Sequence, residues 1–409
     1  MIQKLKNILW HLPKNFLLSL IYGFPARKLI LIGVTGTDGK TTTCNLIHHV
    51  LTNSGIKAGL ISTIGAKIGD SEYNTQLHMT SPDPIVIQKL LRQMVKEKVT
   101  HVVLEVTAHA IDQFRYFGCK FEIAGLTNIS HEHLDYFRDL DTYISAKTKL
   151  FKAAKTVILN KDDDSFNKIK KEINKTVISY GIDSKSNYHA TKIKIDKKNI
   201  EFKVKKLKII TDSNYYYQIY NILLTFAIID KLNIDPNILI QTVKVFPKIK
   251  GRTEEFPNDF KFKTLIDFAH TPAALESTLL SLKKNTTGKI IIIFGATGGR
   301  DKSKRPIMGK VVSENANIAI ITADDTRDEK VEDINQQIIS GIVKRPKFKY
   351  FDIPNRQDAF NLAIKLAETG DTIIACGKGH ETSILHGKTE YPWSEAEAYR
   401  TAFRYKNIN

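Results

Sequence analysis

Apolar positions along this chain repeat in two rhythms, short β-branched runs and longer stretches of helical spacing, and the two alternate. Leu29 to Val34 is an apolar run that ends in Gly36-Thr37-Asp38-Gly39-Lys40-Thr41-Thr42, and helical spacing starts at Leu46. That order is strand, glycine turn, helix. Ala58 to Ile64 predicts a second strand, Ile85 to Val95 a helix, Thr100 to Val106 a buried strand and Ile123 to Leu126 a short one. Val157 to Asn160 reads as strand, alternating segments such as Ile200 to Val204 predict a small β excursion within 170–208, and Ile219 to Leu232 returns to helix. After Gly251-Arg252 the pattern restarts with strands over 263–268, 289–294, 318–322 and 372–376, each followed by a glycine-rich or acidic loop and a helical stretch. The expected class is α/β: a helical stub over 1–27, a central domain with a parallel sheet over 28–250, and a Rossmann-like domain over 251–409.

Parallel sheets bind ligands at the carboxyl ends of their strands. Gly36 to Thr42 there would let backbone N–H groups at a helix start point at phosphates, with Lys40 adding charge and a Thr41 or Thr42 hydroxyl within reach of Mg²⁺. The usual phosphate loop wants a glycine at position 34, where this chain has Val34, so the form present is the shorter Gly-Thr-x-Gly-Lys-Thr. Glu105 at the end of one strand and His133 in the loop after another suggest, with Thr41, a Mg²⁺ site, although a lone carboxylate or histidine is usually structural. His131-x-His133 has no third Cys or His at zinc-like spacing. Gly295 to Arg300 imitates a dinucleotide fingerprint but lacks an acidic partner at the required distance.

Composition narrows the function. Sixty-one Lys and Arg against 43 Asp and Glu give a net charge of +18. The lysines over 152–208 are scattered with few aromatic platforms, which favours an anionic small ligand over nucleic acid. Cys44, Cys119 and Cys376 have no metal-like spacing and form an odd count, as expected in a reducing cytoplasm. In the stub, the longest apolar run, Phe16 to Tyr22, is too short to span a bilayer; a helix packed on the next domain and a basic helix touching a membrane surface are both open.

In order along the chain, Gly33 to Thr43, Glu105-Val106-Thr107-Ala108-His109, Asn128 to Tyr136, Ala146-Lys147, Gly251-Arg252, Asp267 to Pro272, Gly298 to Pro306 and Gly377 to Glu381 resemble the signatures of the Mur ligases, ATP-dependent amide-forming enzymes of peptidoglycan precursor synthesis. The nearest likeness is to the branch that adds the third residue to a muramoyl-alanyl-glutamate. It implies that Gly36, Thr37, Asp38, Gly39, Lys40, Thr41 and Thr42 hold ATP phosphates, that Asn221, Arg252, Asp267 and His270 surround the adenosine, and that Thr41, Glu105, His133 and a carbamylated Lys147 serve magnesium. Lys40, Lys147, Glu105 and His133 are then the catalytic set. It further implies that Thr80, Ser81, Thr107, Gln113 and Arg115 hold the muramoyl dipeptide. Arg356, the loop Asp324-Asp325-Thr326-Arg327, Gly377 and Glu381 would receive the incoming amino acid, for which Arg327 favours meso-diaminopimelate.

The sequence also departs from that family. Only 27 residues precede the phosphate-loop strand, where the family has a domain gripping the uridine end. The expectation is a substrate held by a separate protein, carried on lipid, shortened, or bound weakly. The usual Ser-Ser after the glutamate is Thr107-Ala108, and a helix position usually Asn is Gln218. Rival readings are a related ligase acting on another carboxylate, such as a folate polyglutamylating enzyme or a polyglutamate synthase, an ATP-binding scaffold without turnover, and a basic nucleic-acid ATPase.

Overall fold

The computed structural model describes residues 2–69, 71–73, 81–196 and 198–408; Thr80 lies outside them. The chain divides into one unit of Met1–Ser130 with Asp139–Phe246 and a second of His131–Arg138 with Pro247–Asn409.

In the first unit the strands, among the described residues, are β1 (Ile30–Thr35), β2 (Ala58–Ser62), β3 (Gly65–Ile68), β4 (Ser71–Tyr73), β5 (His101–Glu105), β6 (Phe121–Leu126), β7 (Ala154–Asn160), β8 (Val177–Gly181), β9 (Tyr188–Ile195), β10 (Ile200–Val204) and β11 (Leu207–Thr211). They form one sheet in the order β11-β10-β9-β8-β7-β6-β1-β5-β2-β3-β4, parallel from β2 to β9 across the middle and antiparallel at both margins. The central strands are buried on both faces, which is why they read as unbroken apolar runs. One face packs the helices Lys40–Asn53 and Tyr217–Lys231 against Ile32, Val34 and Val103; the other packs Pro84–Lys96 and Leu140–Ala153 against Leu31, Val102 and Leu104. Leu224 lies so close to the sheet that a Cβ on Gly125 would come within 2.8 Å of its Cδ1. Trimming Leu224 to Ala would cost about 2–5 kcal/mol.

Register decides where the chemistry falls. Val34 lies opposite Glu105 on one side of β1, and Thr35 lies opposite Leu126 on the other. The loops after all three strands therefore leave the same edge side by side.

In the second unit β12 (Glu254–Phe256), β13 (Lys263–Asp267), β14 (Ile290–Phe294), β15 (Ile318–Ile321), β16 (Lys349–Asp352) and β17 (Thr372–Cys376) form a sheet in the order β12-β13-β17-β14-β15-β16, with only β12 antiparallel. Phe360 and Tyr399 anchor its core against Ile291, Ile293 and Ile373. A hairpin of β18 (Ser383–His386) and β19 (Thr389–Pro392) stands apart from it.

The stub is helical over Ile2–Lys6 and Leu12–Ile21, joined by a π-helical turn at Asn7–His11. The wider turn falls just before Pro13, which has no N–H to give to an α-helical ladder. None of the described helices is long and apolar enough to cross a membrane.

Candidate active site

The helix after β1 begins at Lys40, six residues before the apolar spacing becomes visible. Its first turn, Lys40 to Thr43, is polar. Gly39 caps it with φ 79°, and a Cβ there would sit 2.7 Å from Asn221 Oδ1; a Cβ on Gly36 would sit 1.8 Å from Thr127 Oγ1. Only glycine lets the loop run this close to its neighbours. The loop is pinned from β6: the Thr37 N–H donates to the Asn128 carbonyl at 2.8 Å, the Asp38 N–H to Asn128 Oδ1 at 3.0 Å, and Thr127 Oγ1 to the Asp38 carbonyl at 2.7 Å. Thr43 Oγ1 donates to Asn221 Oδ1 at 3.2 Å, bringing Asn221 against the loop.

Two lysines meet this loop. Lys40 Nζ donates to the Thr37 carbonyl and Lys147 Nζ to the Gly36 carbonyl, each at 2.6 Å. Lys147 is 1% exposed, and its ammonium lies 4.5 Å from the centre of the Tyr143 ring. Burial and the nearby charge of Lys40 hold its pKa well below the ordinary lysine value, against the opposing pull of Asp38 and Asp163.

Glu105, at the end of β5, is also 1% exposed. Its Oε1 accepts from Thr41 Oγ1 at 3.0 Å and Thr63 Oγ1 at 2.9 Å, and its Oε2 from the Thr63 N–H at 2.9 Å. Thr63 was not among the expected residues, although it stands one position past the end of β2, beside β5, where the strand-end rule would place a ligand. A hydroxyl and a carboxylate this close are hard oxygen donors of the kind Mg²⁺ takes.

A second cluster adjoins Glu105. Ser81 Oγ donates to the Glu105 carbonyl at 3.3 Å and accepts from the Thr107 N–H at 3.2 Å. Arg115 Nη1 donates to the Ser81 carbonyl at 2.6 Å, while its Nε and Nη2 clasp Gln113 Oε1 at 3.0 and 2.7 Å. Tyr116, which sequence reasoning missed, ties the group together with a hydroxyl 3.2 Å from Ser81 Oγ and 3.0 Å from the Glu105 carbonyl. Ser81, Thr107, Gln113 and Arg115 thus come together.

In the second unit, the Arg252 guanidinium lies 4.4 Å from the centre of the Phe268 ring, and His270 Nδ1 is 2.8 Å from the Phe268 carbonyl. Asp267 accepts from the Thr253 N–H at 2.6 Å and the Ala269 N–H at 2.7 Å, so it braces this corner. Arg356 is buried: it pairs with Glu395 and donates to the carbonyls of Ala323 and Cys376, both at 2.9 Å. It therefore holds the bases of the Asp324–Arg327 and Gly377–Glu381 loops from behind. Between those loops the Lys378 ammonium is surrounded by Asp324, Asp325 and Glu381. Burial pushes Glu381 up to about 7 despite that ammonium, whereas Lys378 and Arg356 outweigh burial at Asp324 and hold it below the usual carboxylate range.

Thr326 Oγ1 is 3.1 Å from His386 Nδ1, and the Arg327 N–H donates to the Leu385 carbonyl at 3.3 Å, so the hairpin supports this loop. Arg327 has φ 50°, and its Nε is buried with no hydrogen-bond partner among the described residues. Burial first and the charge of Arg300 second lower its pKa, against the opposing pull of Asp325, Asp135 and Asp324, and Arg300 itself lies 3.8 Å from Asp135.

The two histidines turn to different neighbours. His131 Nε2 turns to Ser303 Oγ at 2.9 Å and Asp301 Oδ2 at 3.1 Å, while His133, at φ 60°, has Nδ1 3.9 Å from Glu132. No group of three His, Cys, Asp or Glu side chains suited to a metal occurs among the described residues.

The family model for the Mur ligase middle domain matches residues 34–229, and that for the Mur ligase, glutamate ligase domain matches 251–379. Proteins named UDP-N-acetylmuramoyl-L-alanyl-D-glutamate--2,6-diaminopimelate ligase, from Caldanaerobacter subterraneus subsp. tengcongensis and Aquifex aeolicus, are 36% and 35% identical to this chain, covering 93% of it and 79% and 78% of their own lengths. The chain belongs to the Mur ligase family. Members of that family are ATP-dependent ligases joining an acid to an amino acid, so this Mur ligase is an enzyme of that class. A solved structure of a UDP-N-acetylmuramoyl-L-alanyl-D-glutamate--2,6-diaminopimelate ligase aligns at 26% identity and a TM-score of 0.62 over 93% of this chain and 79% of its own. Mycobacterium tuberculosis folylpolyglutamate synthase, solved with ADP and AMPPCP, shares the fold of this Mur ligase at a TM-score of 0.72, with 15% identity over 90% of this chain and 92% of its own.

Proposed function

We propose that this Mur ligase adds meso-diaminopimelate to the glutamate carboxylate of a muramoyl-L-Ala-D-Glu peptide through an acyl phosphate. The observation that carries the choice of amino acid is Arg327, whose buried Nε has no hydrogen-bond partner among the described residues. A guanidinium with an unmet donor favours an acceptor with a second carboxylate and disfavours lysine. The names of the relatives point the same way.

The mechanism follows from the residues. Thr107, Gln113 and Arg115 hold the dipeptide so that its terminal carboxylate faces the γ-phosphorus of ATP cradled by Gly36 to Thr42. A carboxylate oxygen attacks that phosphorus, the bond to the bridging oxygen breaks and ADP leaves. Lys40 and the loop N–H groups meet the developing charge. Thr41, Glu105 and a carbamate on Lys147 would hold Mg²⁺, which when bound supplies charge neutralisation at the phosphates; His133, expected with them, belongs to the second unit. A lysine with a depressed pKa has the free amine that CO₂ addition needs, and the adduct exchanges a cation for an anionic oxygen donor. The amino group of the acceptor then attacks the acyl carbon. The C–N bond forms, phosphate departs and the nitrogen loses a proton.

The three cysteines are unpaired thiols, which supports work in the cytoplasm. Phosphate release, with ATP and a muramoyl dipeptide present, tests the reading. Release is expected to require diaminopimelate and to respond poorly to lysine; equal release with and without any amino acid defeats it.

A further inference from the structure

The stub helix is inside out. Its polar residues Asn7, Asn15 and Ser19 are buried against the first unit, while Ile8, Leu9, Trp10, Leu17, Leu20 and Ile21 are exposed, Leu9 at 66% and Trp10 at 64%. A helix in contact only with water does the reverse. The buried side is well fastened: Asn7 Nδ2 donates to Asp112 Oδ2 at 2.7 Å, Asn15 Nδ2 to the Gln113 carbonyl at 2.9 Å, and Ser19 Oγ to the Phe117 carbonyl at 3.0 Å. The outward direction of the apolar face is therefore fixed by specific hydrogen bonds.

Charge identifies what that face meets. No Asp or Glu occurs between Met1 and Thr37, while Lys6, Lys14, Arg27 and Lys28 are all exposed on this segment. The acidic side chains nearest by contact are Asp83, 4.0 Å from Lys14, and Asp112, which lies under Asn7 and is paired with Lys149. An apolar stripe bordered by cations and free of anions along its own segment complements an anionic lipid surface, where apolar side chains enter the acyl boundary and lysines meet the headgroups.

We propose that residues 2–28 dock this enzyme on an anionic membrane face, lying flat on it. On the ligase reading above, the same hydrogen bonds place the Gln113–Arg115 segment directly beneath the docked helix, suiting a muramoyl peptide whose carrier is a membrane lipid.

Sedimentation of the full chain with vesicles tests the docking, with no ATP or amino acid present, so its outcome is separate from that of the ligase assay. The chain is expected to pellet with phosphatidylglycerol–phosphatidylcholine vesicles, less so at high salt. The Leu9→Glu/Leu20→Glu variant should bind about tenfold less while keeping the parent's melting curve and its phosphate release in solution. Failure to pellet, equal binding of the variant, or equal binding to phosphatidylcholine alone overturns the proposal. So does a dimer that the variant abolishes in a chain that ignores vesicles, because the occupant would then be a second copy.

Discussion

Lys147 Nζ donates to the carbonyl of Gly36 at 2.6 Å, so a buried amine 111 residues along the chain touches the first glycine of the phosphate loop. The amine is costly to bury as a cation. A lysine whose folded pKa lies below 10.5 opposes folding most at low pH, and the opposition fades as pH climbs toward 10.5. Lys147→Met should therefore melt no lower than the parent at neutral pH, yet lose about a hundredfold or more in phosphate release. If the amine works as its CO₂ adduct, parent activity should also fall in carbonate-free buffer and return on adding bicarbonate.

Glu105 gathers three donors from Thr41 and Thr63. Glu105→Gln replaces an acceptor-only group with one that also donates, at a site almost closed to water. We expect a loss of about 1–3 kcal/mol in stability by denaturant titration and a higher Mg²⁺ requirement for turnover. Thr63→Val, which removes one donor and no charge, should show a weaker version of both effects.

On the proposed reading Arg327 decides between acceptors. Arg327→Ala should raise the KM for diaminopimelate by about a hundredfold, the worth of a charge-assisted pair, while leaving the poor use of lysine no worse. A variant that uses diaminopimelate as well as the parent would place the second carboxylate elsewhere.

Glu381 brings a pH dependence. Its carboxyl is raised from 4.5 to about 7, so it opposes folding progressively as pH rises from 4.5 to 7 and fully above that. Ionised, it can accept from the ammonium of an arriving amino acid. The KM for the amino acid should fall as pH rises through about 7, and Glu381→Gln should flatten that limb of the profile.

The buried strands were legible because both faces are covered, leaving runs such as Ile290 to Phe294 with no polar residue. The helix start at Lys40 was legible from the glycine motif and not from periodicity, because Lys40 to Asn45 carry little apolar spacing. β16 and β19 escaped notice for the opposite reason: they are short, largely exposed edges with no apolar face to signal them. The motifs brought Gly36, Glu105 and Lys147 to attention, but Thr63 reads as one more position of the strand expected over 58–64 until β2, ending at Ser62, is set beside β5. Lys304 and Glu132 are 172 residues apart and carry no local mark of their pairing.

That last pair bears on how the protein can be taken apart. Lys304 is 2% exposed, and its ammonium donates to both Glu132 oxygens, at 3.0 and 3.1 Å, and to the His270 carbonyl at 3.0 Å. Glu132 comes from the excursion His131–Arg138, which belongs with the later half of the polypeptide. A gene fragment starting at Pro247 would encode the lysine and leave its counter-ion behind, stranding a cation at a penalty of about 3–5 kcal/mol. The C-terminal half is thus no freestanding module, and shuffling it between relatives requires grafting eight residues from upstream along with it.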